Sequence, residues 1–332
     1  MRKLFVGMDV HKRETQACVM DATGKVLVNT RLPSDRAQVQ RFLSKYPGAK
    51  VAIEASNTWE WAYDAAIAAG TRPVLSHPLK THLIAKAKVK TDKIDARTLA
   101  DLLRGDWLVE AYAPKEDLRE LRKQLQGRLV LVRSRTRFKN QVHAFLIQNN
   151  LKPPVEDIFT EDGIGWLLTL ENTRIPRYLR LIEALDDEID DVDEELAKEA
   201  GSYPEVQLLK TIPGVGNYTA LVLHAWIGDV TRFPTGESLA HYAGLTPTID
   251  ASGDSVKTGH VTREGPSILR YVMVQAAWQH VRRCPDSPIT HAFHRIAKKK
   301  GKKVAIVACA RRMLLVVHAM LRKEEAFKLQ GS

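Results

Sequence analysis

The 332-residue chain reads as an α/β N-terminal domain, a helical coiled-coil segment and a mainly α C-terminal domain. Three observations predict this. Strand-length apolar runs alternate with helical patterns over residues 1–112. Over 113–200 apolar residues recur at steps of three and four, and 201–332 opens on a helix, a Gly-rich turn and a second helix.

Composition narrows the function before any motif is considered. The chain is 44% hydrophobic, ordinary for a soluble protein, and carries 50 Lys+Arg against 39 Asp+Glu, a net charge of +11 that predicts a polyanionic partner. Residues 1–112 hold 18 basic and 12 acidic side chains, 113–200 hold 14 and 18, and 201–332 hold 18 and 9. Cys18, Cys284 and Cys309 are too scattered for a zinc cluster or a disulfide framework, which predicts a reducing compartment. The most apolar C-terminal stretch, 304–320, is interrupted by Arg311 and Arg312, so no membrane span is expected and the location is cytoplasmic, at the nucleoid.

In the first block, Leu4-Phe5-Val6-Gly7-Met8-Asp9-Val10 is an apolar strand with an acid near its end, costly unless paired or metal-bound. Residues 18–20 and 26–28 flank a turn at Asp21-Ala22-Thr23-Gly24, giving an antiparallel meander. Residues 35–46 suit a helix, and Val51-Ala52-Ile53-Glu54 is a buried strand ending on a second acid. Asn57 with Glu60 suggests a capping box opening an Ala-rich helix to Ala69, closed by Gly70. Val74 and Leu75 form the next strand, stopped by His77-Pro78.

Lys90-Thr91-Asp92-Lys93-Ile94-Asp95-Ala96-Arg97 then places two acids three apart at the start of a helix continued by Leu99, Leu102 and Leu103. Helix capping and the helix dipole explain such a pair equally well. Taken together, however, Asp9, Glu54, Asp92 and Asp95 make the arrangement expected of a ribonuclease-H-like nuclease core, in which carboxylates converging at one end of a sheet hold one or two Mg²⁺ ions for phosphoryl transfer.

These pieces, Gly7-Met8-Asp9-Val10-His11-Lys12, Ile53-Glu54-Ala55 and 90–97, resemble the insertion-sequence transposases of family one-ten, the bridge-RNA-guided recombinases. The resemblance implies a RuvC-like domain whose DEDD tetrad, Asp9, Glu54, Asp92 and Asp95, holds Mg²⁺ or Mn²⁺.

The middle block begins after Pro114. Leu118, Leu121, Leu125, Leu129 and Val132 mark a helix reaching toward Asn150, with arginines along its other face. A second helix near 177–200 has an acidic exterior, so an antiparallel pair or coiled coil is expected. The arginines suit nucleic acid, a second subunit or solvent.

In the last block, Ile212-Pro213-Gly214-Val215-Gly216 between two helices resembles a helix-hairpin-helix, so Pro213, Gly214 and Gly216 are candidate phosphate contacts; a tight inter-helix turn is the alternative. Residues 248–260 read as a polar loop. The stretch 244–270 resembles the family's C-terminal domain, and its nucleophilic serine matches Ser252, with Ser255 the nearest decoy. Lys257, His260, Arg263 and Arg270 are candidate phosphate contacts, although Glu264 beside Gly265 departs from the family pattern. The run 298–303 adds Lys299 and Lys302 ahead of a closing helix.

The resemblance implies that Ser252 becomes covalently joined to DNA while the four acids supply metal. It also implies donor and target DNA as partners, a noncoding bridge RNA pairing with both, and a homo-dimer or tetramer supplying two active sites. A RuvC-like junction nuclease using water and a non-catalytic RNA- or DNA-binding protein are the rival readings.

Overall fold

In the computed structural model, residues 3–78, 81, 92–252 and 255–328 are described, with side chains at 92–93, 249–252 and 255–258 outside that description. The chain divides into two units, residues 1–114 and 115–332.

The first unit is built on β1 (Leu4–Val10), central in a six-stranded sheet of order β3-β2-β1-β4-β5-β6. β2 (Glu14–Asp21) and β3 (Val26–Pro33) continue β1 as an antiparallel meander. β4 (Lys50–Glu54) and β5 (Arg72–Ser76) run parallel to β1, and β6 (Glu110–Ala111) closes the edge antiparallel. The mixed α/β architecture expected of this block is present.

Because side chains alternate along a strand, the sheet has two distinct faces. Val6, Met8, Val19, Val51 and Ile53 bury one face against α1 (Arg36–Leu43) and α2 (Trp59–Ala68). Phe5, Ala52 and Val74 lie on the other, with Leu99 and Leu103 of α3 (Asp92–Arg104). Asp35 caps α1 by accepting from the Gln38 amide. The capping box expected at Asn57 and Glu60 does not form: α2 starts after Thr58, whose hydroxyl donates instead to the Val10 carbonyl at 2.7 Å. That bond ties the α2 entrance to the end of β1.

The second unit starts with α4 (Glu116–Gln148), about 50 Å long at 1.5 Å per residue. It runs antiparallel to α6 (Arg174–Ala200), and α5 (Glu161–Thr169) lies between them in sequence. Val142 and Leu146 share a small core with Leu167, Ile175 and Ile182. At the other end, Leu121, Leu125 and Leu196 join the main core of the unit.

Two of the helix arginines meet acids of α6. Arg128 grips Asp193 with two bonds of 2.6 Å, and Arg135 pairs with Asp186. Arg122 donates to the carbonyls of Ala225 and Trp226 at 2.8 and 3.3 Å. Much of the basic pattern on α4 is therefore consumed within the unit.

The remaining elements are α7 (Pro204–Leu209), α8 (Asn217–Ile227), a 3₁₀ turn at Val230–Arg232, α9 (Gly236–Tyr242), hairpin strands β7 (Pro247–Ser252) and β8 (Ser255–Val261), α10 (Ser267–Arg283), α11 (Pro288–Lys300) and α12 (Lys302–Lys323). By length and composition α12 is apolar enough to cross a membrane. Its Ile306, Cys309, Met313, Leu314 and Val317 are buried in the unit's core, the pattern of a core helix.

Candidate active site and nucleic-acid interface

The register of the sheet brings polar residues into one row. Asp9 lies opposite Gln16 of β2, and Glu54 opposite Ser76 of β5. Asp9 and Glu54 each follow the last paired residues of β1 and β4, Met8 and Ile53. By alternation all four belong to the face that carries Gly7 and Ala52, the face covered by α3.

Three members of this row are buried: Asp9 is 7% exposed, Gln16 2% and Ser76 0%. The His11 ring nitrogen Nε2 lies 3.1 Å from Asp9 Oδ2. Gln16 Nε2 donates to Asn29 Oδ1 at 2.6 Å, whereas Gln16 Oε1 is buried without a hydrogen-bond partner among the described residues. The Ser76 and Thr81 hydroxyls are 2.8 Å apart. Sequence reading passed over Gln16 and Ser76, because only the strand register makes them neighbours of the acids.

Two glycines fix the direction of α3. A Cβ on Gly7 would fall 2.0 Å from the Ala96 carbonyl oxygen, so β1 touches the helix backbone early in α3. A Cβ on Gly24, in the β2–β3 turn beside the start of β1, would meet the Arg104 guanidinium at 3.5 Å. The helix C-terminus therefore lies where β1 begins, and its N-terminal end lies where β1 ends. From Gly7 to Asp9 and from Ala96 back to Asp92 the backbone advances by about 6 Å in each case. Asp92 and Asp95, one turn apart on α3, are thus on the end of the helix level with Asp9 and Glu54. Among the described residues no three His, Cys, Asp or Glu side chains cluster tightly enough to hold a metal, and the Asp92 side chain is outside them. Elsewhere on this face, burial raises the Cys18 thiol above its ordinary value, with the Arg97 charge opposing.

Ser252 is not in an open loop. It is the last paired residue of β7, facing Ser255 across the connection 253–254, which lies outside the described residues. Ile249 and Val256 suit strands, and Gly253-Asp254 is a two-residue hairpin sequence, a signal in the sequence for this pairing. Lys257 faces Asp250 in the register; the side chains of Ser252, Ser255 and Lys257 lie outside the described ones. His260 and Arg263 are exposed, Arg263 in a left-handed conformation at φ 55°.

The base of this hairpin is clamped. Gly244 and Gly265 both have positive φ, and a Cβ on them would fall 2.1 Å from the Glu264 carbonyl and 2.0 Å from the Tyr242 carbonyl. Arg270 Nη1 reaches the carbonyls of Ala243, Glu264 and Gly265 at 3.2, 3.3 and 3.0 Å. Half-buried Arg270 is thus a brace between the segments on either side of the hairpin.

The turn between α7 and α8 has an inner and an outer side. A Cβ on Gly214 would lie 2.7 Å from the Ala276 carbonyl, and the Pro213 carbonyl accepts from Nδ1 of buried His280 at 3.0 Å. Gly216 is exposed with open space at its Cα, one residue before α8. Pro213 and Gly214 therefore hold the turn to α10, and Gly216 is the member open to an outside partner. Lys299 and Lys302 are exposed on either side of the Gly301 corner joining α11 to α12.

Comparison with known proteins gives concordant matches. A transposase model of the DEDD domain of IS110 elements matches residues 6–150, and a model of the transposase IS116/IS110/IS902 family matches residues 206–295. The transposase for insertion sequence element IS1111A of Coxiella burnetii is 25% identical over 98% of this chain and 91% of its own length. That for IS1533 of Leptospira borgpetersenii is 26% identical over 97% and 96%. The pilin gene-inverting protein of Moraxella bovis is 27% identical over 98% of each chain. With two models of one family matching the sheet-bearing and hairpin-bearing parts, and full-length relatives on both sides of them, the chain belongs to the IS110 family of insertion-sequence transposases, enzymes that cut and rejoin DNA.

Proposed function

We propose that this transposase cuts DNA through Ser252, with Asp9, Glu54, Asp92 and Asp95 holding a divalent cation, and that a noncoding bridge RNA selects the sites. The observation that carries the acidic half is the pairing of Asp9 and Glu54 at adjacent strand ends on one face, level with the N-terminal end of α3. Their hard carboxylate oxygens suit Mg²⁺ or Mn²⁺. When bound there, the cation supplies Lewis-acid charge for phosphoryl transfer.

The chain's own residues do the rest. Ser252 Oγ attacks a backbone phosphorus and loses its proton. A serine-phosphate bond forms as the bond to the leaving sugar oxygen breaks, and that oxygen takes up a proton. Rejoining reverses these steps with the hydroxyl of the incoming strand, so each phosphoester bond is exchanged for another and no ATP is needed. The strand pairing supports this role, because a nucleophile at the end of a paired strand is better positioned than one on a free loop. Gly216, His260, Arg263, Lys257, Lys299 and Lys302 suit the phosphate backbone by charge or open backbone, whereas Pro213, Gly214 and Arg270 support the shape of that surface.

A three-part organisation, 1–112, 113–200 and 201–332, a ribonuclease-H-like sheet, a coiled-coil pair and a helix-hairpin-helix belong to the same proposal. The strand order supports the first, the antiparallel α4–α6 pair the second, and the α7–turn–α8 sequence the third. Two strand cuts call for two active sites, hence a dimer or tetramer.

Cleavage of a DNA substrate bearing the element ends, with RNA and Mg²⁺, tests the acids. Asp9→Asn or Asp95→Asn should lose cleavage while keeping the wild-type circular dichroism spectrum. Wild-type cleavage in excess chelator would overturn the metal-dependent reading.

A further inference from the structure

We infer that Gln16 is a positioning residue of the cation site, presenting its side-chain carbonyl to the divalent ion or to a water bound on it. The inference rests on the reading that Asp9 and Glu54 belong to such a site. Gln16 is directly opposite Asp9 in the β1–β2 register, and residues so paired have Cβ atoms roughly 4.5–5.5 Å apart on one face. Its residue is 2% exposed, and its amide is oriented by the bond from Nε2 to Asn29 Oδ1 at 2.6 Å.

That bond uses one of the two amide N–H donors and, among the described residues, leaves Oε1 buried with no hydrogen-bond partner. Buried polar atoms in native structures are paired, and an orphan calls for a reason. Among the described residues, the neighbouring groups of the row provide no donor to it. Asp9 and Glu54 are carboxylates, and the Ser76 hydroxyl is engaged with Thr81. A buried carbonyl oxygen directly opposite Asp9, in the row that ends on Glu54, adds a further hard oxygen to the site proposed for the cation. Amide carbonyls are regular ligands of hard divalent ions, and groups that orient ligands or bound water tune affinity from the outer shell. Packing alone does not call for the amide, since methionine would fill similar space with no orphaned atom.

The test is Mn²⁺ binding to the full-length protein by titration calorimetry, with melting temperature measured with and without Mn²⁺. Gln16→Met should weaken Mn²⁺ binding by roughly 10- to 100-fold and shrink the Mn²⁺-induced rise in melting temperature, with the metal-free melting temperature unchanged. Gln16→Glu keeps an oxygen at the position and should bind at least as well as wild type. Asp9→Asn should abolish binding. If Asp9→Asn abolishes binding while Gln16→Met matches wild type, the role of Gln16 is overturned and the acidic site stands. The role of Gln16 is equally overturned if Gln16→Glu loses as much affinity as Gln16→Met, or if Gln16→Met lowers the metal-free melting temperature without changing affinity. If the wild type binds no Mn²⁺, or Asp9→Asn binds it unchanged, the cation-site reading itself fails.

Discussion

At the residue scale, Asp9 and Gly7 show how one strand carries both chemistry and fit. An acid buried at 7% exposure in an otherwise apolar strand is expensive unless a partner or cation compensates it, which makes Asp9 legible from sequence alone. Gly7 is also visible in the sequence, but its reason is not. It lets the backbone of α3 lie directly on β1, and a Cβ there would sit 2.0 Å from the Ala96 oxygen. Gly7→Ala should destabilise the first unit by about 3 kcal/mol, as overpacking between two backbones allows little relief. Urea unfolding of the full chain checks this: a transition at the wild-type midpoint would contradict the packing account. Gln16 and Ser76 were not legible, because a polar residue in a strand acquires meaning only when register sets its neighbours.

At the scale of elements, the strand meander, the two later strands, α3 and the α4–α6 pair are readable from periodicity, whereas the parallel pairing of the later strands comes from the sheet register. What failed was pairing between distant segments. The α4 arginines read as equally suited to nucleic acid, a second subunit or solvent, because the acids that two of them meet, Asp193 and Asp186, come 65 and 51 residues later. A double-mutant cycle on Arg128 and Asp193 should give a coupling of about 1 kcal/mol, modest because Asp193 is 39% exposed. Additive single mutants would place these arginines back at the service of an outside partner. The Ser252 hairpin reads as a loop in sequence because its residues are polar, although Gly253-Asp254 carries a turn signal. The α7–α8 turn depends on His280, which burial holds below the ordinary imidazole value despite its bond to the Pro213 carbonyl. Burial lowers His224 in the same unit, with Glu205 and Asp117 opposing. A depressed folded-state value means that the unfolded chain takes up protons first. Stability from these groups is therefore full above about pH 6.5 and declines as pH falls toward their folded values. Melting temperatures between pH 8 and 5 should drop on the acid side, with a smaller drop in His280→Gln; an equal drop in that variant would remove His280 from the account.

On the scale of the whole molecule, a net charge of +11 and the exposed lysines at the α11–α12 corner predict a DNA affinity that falls steeply with salt. Lys299→Gln with Lys302→Gln should flatten that slope by about two counterions without altering sequence preference. Sequence choice should appear only with the bridge RNA; protein alone selecting its target equally well would overturn the guided reading. The central claim is that a serine, and not water, attacks DNA. Its direct measurement is to incubate the protein with RNA, Mg²⁺ and labelled DNA, denature, and resolve the products by size. The account predicts a labelled protein band in the wild type and in Ser255→Ala that is absent in Ser252→Ala; a band surviving Ser252→Ala, or cut DNA ends with no adduct in the wild type, would contradict it.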